Sequence, residues 1–129
     1  MTGQTLSSRL ATRWPLLQAP MAGAQDSAMA LAVSAAGGLG ALPCAMLAPD
    51  ALRRELQTMA ASGLPYNVNW FCHPPPAPDA AREAAWRAAL KPYFDELGLD
   101  PDAVPTGPGR APFNLDAAEL MAEFRPPVV

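Results

Sequence analysis

Three short groups of residues stand where a parallel strand–helix fold would place its chemistry: Ala19-Pro20-Met21-Ala22-Gly23, Pro43-Cys44-Ala45, and Asn69 to His73. In such folds ligands bind at the carboxyl ends of the strands, where each strand hands over to a loop. The first group is small and uncharged. Its backbone could lie against a flat, apolar ring system with N–H and C=O groups free to bond the ring edges, an approach that only small residues permit. On spacing alone the same residues also read as an ordinary tight turn after a strand. Asn69 sits in an otherwise apolar strand, whose alternation puts Asn67, Asn69 and Phe71 on one face and Val68, Trp70 and Cys72 on the other. An amide there must find partners, and a ligand, a neighbouring backbone or Asn67 would each supply them.

The remaining reactive side chains promise less. His73, the single histidine, follows Cys72 at a strand end, where general acid–base groups often sit. Its neighbours Pro74, Pro75 and Pro76 offer no further metal ligand, and a loop-rigidifying or exposed histidine is the plainer reading. Cys44 and Cys72 form no CxxC pair and have no basic neighbour to lower a thiol pKa, so both are expected to be buried and inert. Gly37-Gly38-Leu39-Gly40 ends a helix and enters a strand, the reverse of a dinucleotide fingerprint, so it is read as a helix stop with close helix–sheet packing. No carboxylate pair stands at a strand end. The catalytic set within these residues is therefore none, and no metal site is expected.

Short apolar runs alternate with segments of helical period. Pro15 to Met21, Leu39 to Cys44 and Tyr66 to Cys72 read as strands, with starts spaced by 24 and 27 residues, the size of a βα unit. Asp26 is placed to cap a helix with Met29, Ala32, Val33 and Ala36 inward, stopped by Gly37-Gly38. Pro49 suits the first position of the next helix, with Ala48 a poor cap, Leu52, Leu56, Met59 and Ala60 inward, and Arg53, Arg54 and Gln57 outward. Ser62-Gly63 closes it. Past a proline loop from His73 to Pro78, Asp79 caps a longer helix with Trp86, Ala89, Leu90, Tyr93 and Leu97 on one face and a kink at Pro92. A Pro- and Gly-rich loop follows, then Asn114 opens a helix carrying Leu120, Met121 and Phe124, and Val128-Val129 reads as the opening of a fourth strand. The fold class is α/β of the parallel (β/α) TIM-barrel type: three βα units plus the start of a fourth strand, an incomplete barrel, since eight units need about 250 residues. Residues 1–129 are taken as the N-terminal part of one barrel domain, with 73–125 as an enlarged third connection. An open doubly wound sheet is the structural alternative.

Bulk properties narrow the function. Half of the 129 residues are apolar, 16% are charged, and the net charge is −3 with signs mixed along the chain. Nucleic acid is not an expected partner. The uncharged stretch from Ser27 to Pro49 is long enough to span a bilayer, yet Gly37, Gly38, Gly40 and Pro43 interrupt it, so buried core is the reading and no membrane partner is expected. Two unpaired thiols and an N-terminus without an apolar h-region suggest a reducing, cytoplasmic location.

Leu17-Gln18-Ala19-Pro20-Met21-Ala22-Gly23, Ala32-Val33-Ser34-Ala35-Ala36-Gly37-Gly38-Leu39-Gly40 and Asn67-Val68-Asn69-Trp70-Phe71 together resemble the nitronate monooxygenase (2-nitropropane dioxygenase) family in letters, order and spacing. The similarity extends to the proline loop, the Trp86 to Leu99 helix and the closing Arg125-Pro126-Pro127-Val128-Val129. The resemblance implies an FMN-bound TIM barrel that oxidises alkyl nitronates with O2. It assigns Ala19, Pro20 and Met21 to contact with the isoalloxazine and Asn69 to the flavin site. The family's active-site histidine and main phosphate-binding loops belong to later strands, and His73 does not match that histidine's motif. Related flavin barrels, enoyl reductases and NAD(P)H:quinone reductases, share the first strand and the Gly-Gly-Leu-Gly segment. A different expectation is a non-catalytic half-barrel that self-associates through its open sheet edge.

Overall fold

In a computed structural model, residues 5–74, 77–103 and 112–129 are described. Two units are distinguished, Met1–His73 with Arg110–Val129, and Pro74–Gly109.

The first unit opens with a helix that the sequence did not announce, α1 (Leu6–Leu10), capped by Thr5, whose hydroxyl accepts from Ser8 N. Its five residues are too few to display an apolar period. The first expected strand is much reduced. Pro15 to Met21 makes one parallel bridge, Leu17 to Leu39, and then leaves the sheet. Pro20 cannot donate to a ladder, which accounts for the departure.

Helix α2 (Ser27–Ala35) starts at Asp26, whose carboxylate accepts from Ala28 N and Met29 N, and it ends as expected, with Gly38 N–H donating to Val33 O. Its inward face is not the one expected. Ser27, Ala30 and Ser34 are buried, whereas Met29, Ala32 and Ala36 are exposed and Val33 is half-buried. The cause is the strand β1 (Gly40–Pro43), whose backbone runs so close that a Cβ on Gly40 would lie 1.9 Å from Ala30 O. Only the small face of α2 fits there. Ser34 fastens the contact, its single hydroxyl hydrogen shared between Pro65 O at 2.7 Å and Ala30 O at 3.1 Å and its oxygen accepting from Gly40 N at 3.1 Å.

Helix α3 (Pro49–Ala61) follows with Leu52, Leu56 and Met59 buried and Arg53, Arg54 and Gln57 exposed, as expected; Ala60 turns outward instead. Ala60 lies about 100° around the helix from Met59, beyond the edge of the buried stripe. Its cap residue Ala48 makes no side-chain bond to the first turn. An Ala48→Ser chain is expected to gain about 1 kcal/mol in urea denaturation, because one orphan N–H of that turn acquires an acceptor.

Strand β2 (Tyr66–Asn69) pairs parallel with β1 in the register Gly40 to Tyr66 through Pro43 to Asn69. It is shorter than expected, although Phe71 makes a separate parallel bridge to Pro112. Val128 bridges Asn67, also parallel, at the place expected of a fourth strand. The sheet order is therefore the Leu17 segment, β1, β2 and Val128, all parallel. Helix α5 (Leu115–Phe124), capped by Asn114, buries Ala117 and packs Leu120, Met121 and Phe124 against the core. That core lies on the helical side of the sheet, around Leu42, Leu56, Met59 and Val68.

In the second unit, α4 (Ala80–Leu97) is capped by Asp79 and runs through Pro92 to Gly98. Its expected inner face is not buried: Trp86, Tyr93 and Leu97 are exposed. Most of the loop expected at 101–112 falls outside the described residues. Among the described residues no helix is long and apolar enough to cross a membrane, and Ser27 to Pro49 folds instead as α2, β1 and the start of α3.

Candidate functional site

Parallel pairing sends every strand's carboxyl end to one edge of the sheet, so three separate loops meet there. Asn69 is the ladder partner of Pro43. Pro43 and Asn69 thus stand side by side, with no charge between them. The first segment leaves the sheet after Leu17 bridges Leu39, so Met21 lies in the loop beyond that bridge, outside the ladder.

Alternation settles the faces. Leu42, Tyr66 and Val68 belong to the helix-side core, so Ala41, Pro43, Asn67 and Asn69 share the opposite face. Among the described residues, one buried amide oxygen on that face lacks a partner. Asn67 Oδ1 is buried with no hydrogen bond among the described residues, and the Asn69 side chain is half-buried and likewise makes none. The Asn69 main chain is engaged, its carbonyl accepting from Cys44 N at 3.0 Å. A buried, unpartnered amide oxygen is uncommon and calls for a donor.

Ala19, Pro20 and Met21 are exposed, Met21 by 44%. The chain then reverses in a turn closed by Ala24 N donating to Met21 O at 3.0 Å. Gly23 takes φ +82° at the third turn position, where a positive φ favours glycine. This turn is wedged between two glutamines the sequence reading passed over. Gln18 Oε1 accepts from Ala41 N at 3.0 Å, Gln25 Nε2 donates to Ala41 O, and Gln18 Nε2 donates to Gln25 Oε1 at 3.0 Å. The only sequence signal was a pair of amides flanking an otherwise apolar turn.

The thiols divide. Cys44 is buried as expected, its Sγ donating to Leu42 O, and burial pushes its pKa from 9.0 up to about 12, against a smaller opposing effect of a hydrogen bond with the Asn69 backbone. Cys72 is exposed, contrary to expectation, because the strand ends before it. Native chain treated with a thiol reagent at neutral pH is expected to label at Cys72 alone, and unfolded chain at both. The raised Cys44 pKa also sets a pH dependence. Its contribution to stability is fully present below the unfolded value of 9.0 and is lost as pH rises toward about 12, which urea midpoints across that range would register. His73 is exposed beside the Phe71 ring, centroids 5.9 Å apart, and among the described residues no His, Cys, Asp and Glu cluster suits a metal ion.

The sequence model of the family described as nitronate monooxygenase matches residues 4–98. The chain belongs to the nitronate monooxygenase family. It is 43% identical over 90 residues to a nitronate monooxygenase of Paraburkholderia phytofirmans, covering 69% of this chain and 25% of that protein. To a nitronate monooxygenase of Pseudomonas aeruginosa it is 45% identical over 95 residues, covering 71% and 26%. The chain thus spans about a quarter of the length of these relatives of the nitronate monooxygenase family. Among solved structures, the nitroalkane oxidase of Streptomyces ansochromogenes superposes with a TM-score of 0.57 at 27% identity, over 88% of this chain and 31% of that one.

Proposed function

We propose that residues 1–129 are the N-terminal part of a single FMN-binding (β/α)8 barrel: three βα units and the start of a fourth strand, with 73–125 as an enlarged third connection. The protein to which they belong is an FMN-dependent nitronate monooxygenase that oxidises alkyl nitronates with O2. Family membership supports the reading, and one observation carries it: parallel strands bring Pro43 and Asn69 level at their carboxyl ends, beside the buried Asn67 Oδ1, which has no hydrogen-bond partner among the described residues.

The residues suit a flavin in three respects. The Ala19-Pro20-Met21 backbone is exposed and lacks bulk, so a flat ring can lie against it. The Asn69 amide offers both a donor and an acceptor to a ring edge and has no competing protein partner among the described residues. The thioether of Met21 provides polarizable, apolar contact that excludes water. When bound, FMN supplies the redox chemistry between nitronate and O2. The part played by these residues is to bind and orient; proton transfer falls to groups outside this set, so the 129 residues alone are expected to turn over little or nothing.

A version completed with the later strands, purified aerobically, is expected to carry FMN, visible as the absorption bands of oxidised flavin. Colourless protein that takes up no added FMN would remove the reading. Both sheet edges of the first unit expose apolar residues, Leu16 and Leu17 on one side and Val129 on the other, which supports self-association of the 129-residue chain. Size-exclusion chromatography should place the chain above its 13.5 kDa monomer mass.

A further inference from the structure

The parallel ladder between the first strand segment and β1 stops at a definable atom. Leu39 is bracketed in the regular parallel manner, its N–H donating to Leu16 O at 2.8 Å and its carbonyl accepting from Gln18 N at 2.9 Å. Two residues on, the same pattern would have Ala41 N–H donate to Gln18 O and Ala41 O accept from the N–H of residue 20. Residue 20 is proline and has no N–H. Ala41 is fully buried, so neither of its main-chain groups can turn to water. Both are met by side chains instead. Gln18 offers Oε1 in place of its own carbonyl, and Gln25 offers Nε2 in place of the missing proline N–H. The bond from Gln18 Nε2 to Gln25 Oε1 closes the ring and fixes which way round each amide sits, since flipping either would set donor against donor or acceptor against acceptor.

We propose that Gln18 and Gln25 are positioning residues: their amides take over the two sheet bonds that would draw the chain onto Ala41, and so hold the Ala19–Met21 backbone off the ladder and within reach of a ligand. The identity of that ligand as a flavin rests on the function proposed above. The clasp grips the loop from both ends, Gln18 entering it and Gln25 leaving it, at a single peptide position of β1. A loop tied in this way loses little further freedom on binding, which is how preorganisation strengthens affinity. Neutral amides suit the task, because glutamate at position 25 would lack the N–H that Ala41 O requires and would bury a charge.

Two variants of the 129-residue chain, labelled with 15N and followed by amide hydrogen exchange, test the idea. In Gln25→Ala the Ala41 carbonyl loses its donor, and residues 19–24 are expected to lose order while the pairing of Gly40–Pro43 with Tyr66–Asn69 persists. In the double variant Pro20→Ala/Gln25→Ala a main-chain N–H returns at position 20. The ladder should extend to it, slowing exchange of that amide about tenfold or more and restoring the urea midpoint, a change of the size of one recovered hydrogen bond. Unchanged order of residues 19–24 in the single variant, or an unprotected amide at position 20 in the double variant, overturns the proposal. An FMN titration run alongside separates the two ideas. Where the unaltered chain binds FMN, the double variant should bind it about tenfold more weakly although its sheet is intact, and equal binding overturns the positioning role. No FMN uptake by the unaltered or completed chain, with the exchange pattern as expected, removes the flavin reading and leaves the clasp standing.

Discussion

A Gly40→Ala chain is expected to lose about 4 kcal/mol or more of stability, enough to leave much of it unfolded at 25 °C. The added methyl would meet Ala30 O at 1.9 Å and Ala30 C at 2.6 Å, both backbone atoms of α2, and Ser34 Oγ at 2.7 Å. A side chain can change rotamer, but a helix backbone held by its own hydrogen bonds can only move as a body. Moving α2 outward would part Ser34 from Gly40 N and Pro65 O, so the clash and the loss of buried hydrogen bonds add. Urea denaturation followed by circular dichroism measures the effect. A midpoint close to that of the unaltered chain would mean that the helix and strand do not pack at this distance. Because β1 lies between the two loops proposed above to hold the flavin, the same substitution should also abolish cofactor binding in a completed protein.

Asn69→Leu should behave in the opposite way. It is expected to weaken FMN retention by about 10- to 100-fold, the equivalent of one or two hydrogen bonds to the ring, while changing stability by less than about 1 kcal/mol. The asymmetry follows from the partners. Among the described residues the Asn69 side chain bonds to no protein group, so an apolar side chain of similar size orphans nothing in the fold. Its ladder bonds are made by the main chain and survive. Flavin content of a completed protein, compared by absorbance after dialysis, reads the first quantity and urea denaturation the second. Equal flavin content in both proteins would take Asn69 out of the site. A large fall in stability would show instead that its amide serves the fold.

Much of this architecture was legible because it depends on local chemistry. Asp26, Asp79 and Asn114 cap the helices assigned to them, and Pro49 opens α3. Leu52, Leu56 and Met59 recur with a period only a helix satisfies, against the charged side chains of Arg53 and Arg54. The extent of the outer strands was less legible. Pro20 and Trp70 mark places where pairing stops, and a strand's length depends on which neighbours offer hydrogen bonds as well as on its own residues. The site shows the same division. The motif around Pro20 and the amide of Asn69 stood out by type, whereas Gln18 and Gln25 lie on either side of a turn and acquire a purpose only where Ala41 lacks main-chain partners.

Helix α2 shows most plainly what the sequence determined alone and what waited for the tertiary structure. Its start, its end and its helical state follow from Asp26, the alanine-rich run and the paired glycines, all of which act within a turn or two. Its rotation does not. Nearly every residue from Ala28 to Ala36 is small or apolar, so hydrophobicity varies little around the axis, and a stripe through Met29 and Val33 is as good a candidate as one through Ala30 and Ser34. Steric fit against Gly40 chose between them, admitting the face with the smallest side chains and bringing Ser34 to Ala30 O, Pro65 O and Gly40 N. Local propensity shapes an element, while close approach by another element selects its buried face.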